Sequence, residues 1–536
     1  TIMQVLDDND FIEILRLTYN EGRSSREVAE IIGCSKTTIG SFLRREGGYN
    51  EFWEKYDDKP VAAGETKSRR DQLKKLSGKS FVITSAQNNT YVHDGFLSAL
   101  KVYAEKNDAE IIVGTFHYNK NAYQKSDSYD TECWFDPKIR DYILDEDCEL
   151  AESLMWCGSL DIIPTAVNPM TGLHSYTGCS SGIFPHAKVQ LESLPTGKFS
   201  PAKIMYTTGS VTQLNYIQRK AGQIAEFHHM FGALSVTIDD DGDWFVRQLI
   251  ADSDTGSFHD LDYYYDSDSF TSTGSVEAIN WGDVHAAKLD NEVANASWLD
   301  SDSMLDKLKP KRQFLHDIFD MEYRNHHSIG NHYFRYKMFV NQTESVKKEI
   351  ELTSNVIASM DREFSEIIIV QSNHDLALKK WLSEQDYRSD PVNAEFFLEL
   401  QLASYKAISG NDSSFAVFEY ACKSSNEALK DVLFLREDES YQIAGGIECG
   451  QHGHNGNNGA RGSVRSLQIS GSKSNSGHTH SATIKDGVYI AGVSGKLDMG
   501  YNIGGSSWSN SHIVTYSNGK RAIITLRDGK WRATNK

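Results

Sequence analysis

Several common features are missing from this sequence, and each absence narrows what the chain can be. Its 536 residues contain no CxxC pair. The seven cysteines, Cys34, Cys133, Cys148, Cys157, Cys179, Cys422 and Cys449, are odd in number and widely spaced. A disulfide framework and a cysteine-type zinc site are both disfavoured, and a reducing compartment is expected. No apolar run approaches the roughly 18 residues a membrane helix needs, and the first residues carry acids rather than a basic-then-apolar leader. The expectation is a soluble, cytoplasmic chain without a membrane segment. Positive charge is also short: 55 Lys and Arg stand against 74 Asp and Glu, for a net charge of −19. No basic coat surrounds this protein, so nucleic acid would have to be met at local patches or through bound cations. The surplus carboxylates are themselves possible metal ligands. A hydrophobic content of 39% and an aromatic content of 11% are ordinary for a folded protein. The length suggests about two to four domains.

Residues 1–50 read as a small helical domain. In "DFIEILRLTYNEG" the apolar residues Phe11, Ile12, Ile14, Leu15 and Leu17 recur at helical spacing. In "SSREVAEIIGCSKTTIGSFLRREG" Ser25 is a candidate cap, Gly33 a break, and Ser35 a second cap before inward-facing Ile39, Phe42 and Leu43. The pattern resembles a helix-turn-helix. Its second helix would offer Lys36, Thr37 and Thr38, with Arg44 and Arg45 at its end, to phosphates and bases. A packing or oligomerisation module fits the same pattern.

Residues 51–78 look like a polar linker, and residues 79–274 like an accessory α/β domain. The strand-like "SFVITSAQNN", the amphipathic "DGFLSALKVYAEKND" and the strand-like "AEIIVGTFHYN" spell a βαβ unit. "GALSVTID" and "DWFVRQLIA" are further strand-like runs. This stretch holds no catalytic signature; a wall of a DNA channel or an oligomer interface is the expected role.

From about residue 275 the apolar runs end in polar groups. One run stops at Gly282-Asp283-Val284-His285, another at His316-Asp317-Ile318-Phe319-Asp320. The amphipathic "ESVKKEIELTSNVIASMDREF", with Val346, Ile350, Val356, Ile357, Met360 and Phe364 in one stripe, leads into "EIIIV" and then Gln371-Ser372-Asn373-His374-Asp375. "ECGQHGHNGNNGARGS" and "SGHTHS" follow. Ligands of α/β folds collect at strand ends. Strand ends of one sheet would therefore gather Asp283, His285, Asp317, Asn373, His452, His478 and His480, an oxygen and nitrogen set suited to Mn, Fe or Zn. Alternation along a strand would aim both members of Asp283/His285, and of His478/His480, to one side. Any one of these residues alone would read as a turn or a cap. His326, His327 and His332 lie between the motifs and are expected at the surface or behind the ligands, as is Asp320.

The order D-x-H, G-D-x-x-D, G-N-H-D/E, H, G-H-x-H resembles the calcineurin-like metallophosphoesterase family, in the branch of Mre11-type nucleases, over residues 275–495. Asp283-Val284-His285, Ser372-Asn373-His374-Asp375 and Gly477-His478-Thr479-His480 carry the likeness. His316 and Ser372 stand where the family has glycine. His452 matches the lone histidine, with His454 as the rival.

The resemblance implies a metallophosphoesterase β-sandwich flanked by helices over 275–536, an α/β (α+β) fold overall, and two divalent ions, manganese foremost, with iron or zinc as alternatives. Asp283, His285 and His480 would hold one ion, Asn373, His452 and His478 the other, with Asp317 between them. His374 would act on the transition state or the leaving group, with Asp375 orienting it. Arg461 would bind substrate phosphate or form a structural ion pair. The chain is also similar over most of its length to the pre-early first-step-transfer DNases of siphophages that inject their DNA in two steps, including "FVITSAQNNTYVHDGFLSALKVYAEK" and "LDMGYNIGGSSWSNSHIV". That likeness implies a manganese-dependent DNase that takes DNA as substrate and degrades host DNA early in infection, which places it in the bacterial cytoplasm; a homo-oligomer is also expected. A metallophosphatase acting on another substrate, and a non-enzymatic DNA-binding regulator with a structural metal site, are the alternatives.

Overall fold

Around Val28 and Ala29 the first helices close on a small core. The computed structural model describes residues 8–20, 23–45, 73–118, 134–197, 200–437 and 439–534. Most of the expected linker, from 51 to 72, lies outside the described residues. The chain divides into two compact units, residues 1–74 and 75–536.

In the first unit the helices Asp8–Leu15, Ser25–Ile32 and Lys36–Arg45, with the π-helical turn Arg16–Asn20, bury Ile14, Leu15, Leu17, Val28, Ala29, Ile39 and Phe42 together. The cap of the second helix is Ser24, not Ser25. Ser24 accepts from the backbone of Glu27, whose carboxylate accepts from the backbone N–H of Ser24 at 2.9 Å. This is a reciprocal capping box, and it uses the acid three residues on, which only Ser24 has. Gly33 ends the helix at φ 78°, where a side chain would be strained. Ser24→Ala should destabilise this unit by about 1 kcal/mol, read as faster amide exchange at Val28 and Ala29.

The second unit mixes strands and helices in several sheets. The βαβ expectation is met: Ser80–Gln87 pairs in parallel with Glu110–Phe116 across the helix Asp94–Lys106. Gly232–Ile238 and Trp244–Ile250 complete that sheet as an antiparallel pair. A six-stranded sheet carries the parallel strands Ala278–Asn280, Arg312–His316, Glu366–Val370 and Leu433–Phe434, followed by the antiparallel Ser511–Thr515 and Arg521–Thr525. An eleven-stranded sheet joins strands from 147–207 to strands from 442–490 and takes its remaining strand, Lys74–Lys75, from the end of the expected linker, so parts of 79–274 and of 275–536 share one sheet.

The six- and eleven-stranded sheets pack face to face through Ala278, Phe314, Ile368 and Val370 on one side and Ile443, Ile447 and Cys449 on the other. A polar rivet crosses the same gap, Asn475 donating to Asn280 at 2.8 Å and to Thr515 at 3.1 Å. The helix Val346–Ser359 covers the outer face of the six-stranded sheet with Val346, Ile350 and Ile357 buried. Phe364, expected in its stripe, lies past the helix end and is 39% exposed. No helix among the described residues is long and apolar enough to cross a membrane.

Candidate metal centre

The candidate residues sit where both sheets end. Strand Ala278–Asn280 runs out into Asp283 and His285, Arg312–His316 into Asp317, and Glu366–Val370 into Asn373 and His374. These exits stay paired past the strands: Val284 N–H donates to the His316 carbonyl at 2.9 Å and His285 N–H to that of Asp317 at 2.8 Å. The remaining histidines come from the second sheet, not from the same one as expected. His452 follows Ile447–Glu448, and His478 and His480 follow Ser474–Ser476.

Strand alternation does not aim the paired residues, because Asp283/His285 and His478/His480 lie beyond the strands Ala278–Asn280 and Ser474–Ser476. His285, Asp317, His478 and His480 all take left-handed backbone conformations, with φ of 48°, 46°, 75° and 57°. Such conformations are costly outside glycine and persist where the surroundings enforce them, as at functional sites. They turn His480 toward His285 and leave His478 beside His452: the Nε2 atoms of His480 and His285 are 3.0 Å apart, and the rings of His478 and His452 are 5.1 Å apart.

Four overlapping groups of donor atoms result among the described residues, of which Asp283, His316 and His452 form one and His285, Asp320 and His374 another; the remaining two share Asp317. Asp283, His285, Asp317 and His480 form one, and Asp317, His452 and His478 the other, the atoms of each lying within 4.8 Å of one another. His480 Nε2 is 3.1 Å from Asp283 Oδ2, and His452 Nε2 is 3.2 Å from Asp317 Oδ2. Asp317, common to both groups, is 1% exposed. Buried atoms Asp283 Oδ1, Asp317 Oδ1 and His480 Nδ1 have no hydrogen-bond partner. Leaving such groups unpaired is expensive, which makes the cluster a fit for a cation. Burial opposes ionisation of Asp317, but His452 and His374 outweigh it and hold the carboxyl well below the usual range. Burial likewise opposes charge on His285 and His452, yet Asp320 raises the first and Asp317 the second, each to about 9.

Asn373 is exposed in the turn after Glu366–Val370. His374 beside it is half-buried, its Nδ1 3.4 Å from the backbone carbonyl of Asp320 and its ring 5.2 Å from that of His285. Asp375 does not orient His374. Its carboxylate accepts from the backbone N–H groups of Ser372 at 3.1 Å and Phe319 at 3.3 Å, tying two strand-end loops together. Burial pushes it up to about 7. Asp320 takes the supporting position, its Oδ1 2.8 Å from His285 Nδ1. His454 lies farther out, its Nε2 3.7 Å from Glu437. His326 is half-buried, His327 and His332 are exposed, and none of the three joins the groups above.

His316 and Ser372, which stand where the resembling family has glycine, do not take a left-handed backbone. Ser372 uses its hydroxyl to accept from Asp375 N–H at 3.2 Å. Gly477, by contrast, is required, and not for a tight turn. A Cβ there would lie 2.1 Å from Asp283 Oδ1.

Some contributors left no mark in the sequence. Trp508 packs edge-on against His480 with ring centres 4.3 Å apart, Tyr501 stands 5.8 Å from Trp508, and Lys288 Nζ lies 4.9 Å over the Tyr501 ring. Glu349, from the helix Val346–Ser359, accepts from Glu322 N–H at 2.7 Å and so anchors the loop beyond Asp320. No spacing rule connects these distant positions to the ligands.

Of the DNA contacts expected elsewhere, Lys36 and Thr37 are exposed on Lys36–Arg45, while Thr38 is turned to Ser35, their hydroxyls 2.8 Å apart. Arg44 and Arg45 end that helix, with side chains outside the described part. Arg461 is exposed on the loop that also carries His454.

No protein-family model matches the chain, and no solved structure matches it. Protein A1 of Escherichia phage T5 is 42% identical over 491 residues, which is 89% of this chain and 87% of that protein. At that identity and coverage the chain belongs to the family of phage T5 Protein A1.

Proposed function

We propose that the chain is a metal-dependent deoxyribonuclease of the calcineurin-like metallophosphoesterase type, acting on DNA early in phage infection. One observation carries this reading: acids and histidines from two sheets, arriving in the motif order of that family, bring buried donor atoms within 4.8 Å of one another. Asp283, His285 and His480 would hold one divalent ion and Asn373, His452 and His478 the other, with Asp317 shared. When bound, such a pair, manganese foremost, neutralises a phosphodiester and lowers the pKa of water.

The chain's own residues supply the rest. Asp320 holds His285 by its Nδ1, which leaves Nε2 for the cluster. His374, with Nδ1 toward the Asp320 carbonyl, keeps Nε2 for the substrate and can carry a proton to the leaving oxygen there. Asp375 keeps its loop in register with Phe319. Trp508 shields His480 from water on one side. Arg461 can meet a neighbouring phosphate as a fork of donors. Arg461→Ala should raise KM for DNA about tenfold and leave kcat within about twofold; an unchanged KM would remove it from the substrate path.

The likeness to a phage protein supports a phage setting; early action, the bacterial cytoplasm and homo-oligomerisation are further parts of this proposal. The metal claim is tested by titrating EDTA-treated protein with Mn2+ in a calorimeter. Two ions per chain and a rise in Tm are expected, since a ligand bound only by the folded state stabilises it. Absence of binding would end this reading.

A further inference from the structure

His316 stands where the resembling family keeps a glycine, and nothing above gives it work. It is the last residue of Arg312–His316, on the same face as Phe314, so it points into the gap between the two sheets. There it is fully buried, and its Nδ1 is 3.4 Å from His452 Nδ1. The rings are 5.6 Å apart and tilted by 32°. His452 is therefore engaged through Nδ1 by His316, while its buried Nε2, 3.2 Å from Asp317 Oδ2, makes no hydrogen bond.

We propose that His316 is a positioning residue that fixes the tautomer and ring orientation of His452, so that His452 presents its Nε2 lone pair to a divalent cation. The proposal rests on the reading of the centre as a metal site. Two facing Nδ1 atoms can form a hydrogen bond only if one of them carries the proton. His452 donates from Nδ1, and His316 accepts there while holding its own proton on Nε2, the buried atom that has no partner.

Histidine ligands are commonly held through their second nitrogen by a carboxylate or a carbonyl, and loss of that support weakens metal binding. A neutral imidazole does the same without adding a fourth buried acid to a cluster that already holds Asp283, Asp317 and Asp320. The small residue expected at this position could not reach His452. The acceptor is thus a feature of this chain's own solution to the site.

The arrangement allows one competing role. Asp283, His316 and His452 also have donor atoms within 4.8 Å of one another, so His316 could be a ligand itself. The variants separate the two. His316→Asn keeps an acceptor oxygen near the Nδ1 position but is a poor ligand for a transition ion. His316→Leu keeps bulk and removes the acceptor. Should the leucine variant not fold, His316→Gln, whose amide reaches past the Nδ1 position, replaces it.

Mn2+ is titrated calorimetrically into the EDTA-treated full chain. Wild type should take up two ions. The leucine or glutamine variant should bind one of them about 10- to 100-fold more weakly and the other as before, and the asparagine variant should stay within about threefold of wild type. Unchanged binding by the leucine or glutamine variant overturns the proposal, as does an asparagine variant as weak as either of them, which would make His316 a ligand. Wild type that binds no Mn2+ overturns the reading of the site itself, and this proposal with it.

Discussion

The His374→Ala variant is expected to lose DNA hydrolysis by about 10²- to 10⁴-fold, the range of a removed general acid, while still taking up Mn2+ as wild type does. His374 lies outside the two groups that share Asp317, although it forms a further possible group with His285 and Asp320, and its neighbour Asn373 is a candidate ligand. Its Nδ1 faces a backbone carbonyl at 3.4 Å, and the ring packs at 84° to that of His285. Truncation should therefore leave the acids and the other histidines in place. Burst and steady-state rates on DNA, with metal uptake measured in parallel, check both halves. Cleavage at the wild-type rate would remove His374 from the chemistry. A lost metal would make it a ligand instead.

Gly477→Ala should be nearly as damaging, by a different route. The added methyl would sit 2.1 Å from Asp283 Oδ1 and 3.1 Å from its Cγ. Asp283 has little freedom to retreat. Its Oδ2 accepts from His478 N–H at 2.8 Å and lies 3.1 Å from His480 Nε2. Its own backbone is tied to Gly492 at 3.0 Å and Ser494 at 2.8 Å. The clash must then move a ligand, and a displacement of about 1 Å in such a site is worth about 10²-fold in rate. We expect a loss of at least that size together with weaker Mn2+ binding. Gly330→Ala is the control, since nothing lies within 4 Å of a Cβ there. Wild-type activity in the Gly477 variant would mean that Asp283 is not where the site needs it.

The sequence disclosed the long elements and the acids and histidines that come together in the candidate site, because those are written in periodicity and in strand-end chemistry. "SFVITSAQ" and "EIIIV" are buried strands and read as such. Asp283 and Asp317 stand out because an acid directly after an apolar run needs a reason. The second sheet was not legible. Its contributing strands, Ile447–Glu448 and Ser474–Ser476, are too short for any period, and the second is entirely polar though buried. Its burial depends on Asn475 finding Asn280 from a distant strand, a long-range fact. The left-handed turns at His478 and His480, the true partners of Asp375 and the reason for Gly477 are likewise properties of packed neighbours. Residues 79–274 gave up their βαβ unit but not the sheet they share with 442–490, since strand order across such a distance leaves no local trace.

The most direct test of the central claim is a single cleavage assay on the wild-type chain. Linear duplex, plasmid and single-stranded DNA are each incubated with Mn2+ and with EDTA, beside a chromogenic phosphate. The account predicts Mn2+-dependent cleavage of linear duplex DNA that EDTA abolishes and added Mn2+ restores. Hydrolysis of the chromogenic phosphate with every DNA left intact would contradict it in favour of a metallophosphatase. Metal uptake without hydrolysis of any substrate would contradict it in favour of a binding protein with a structural metal site.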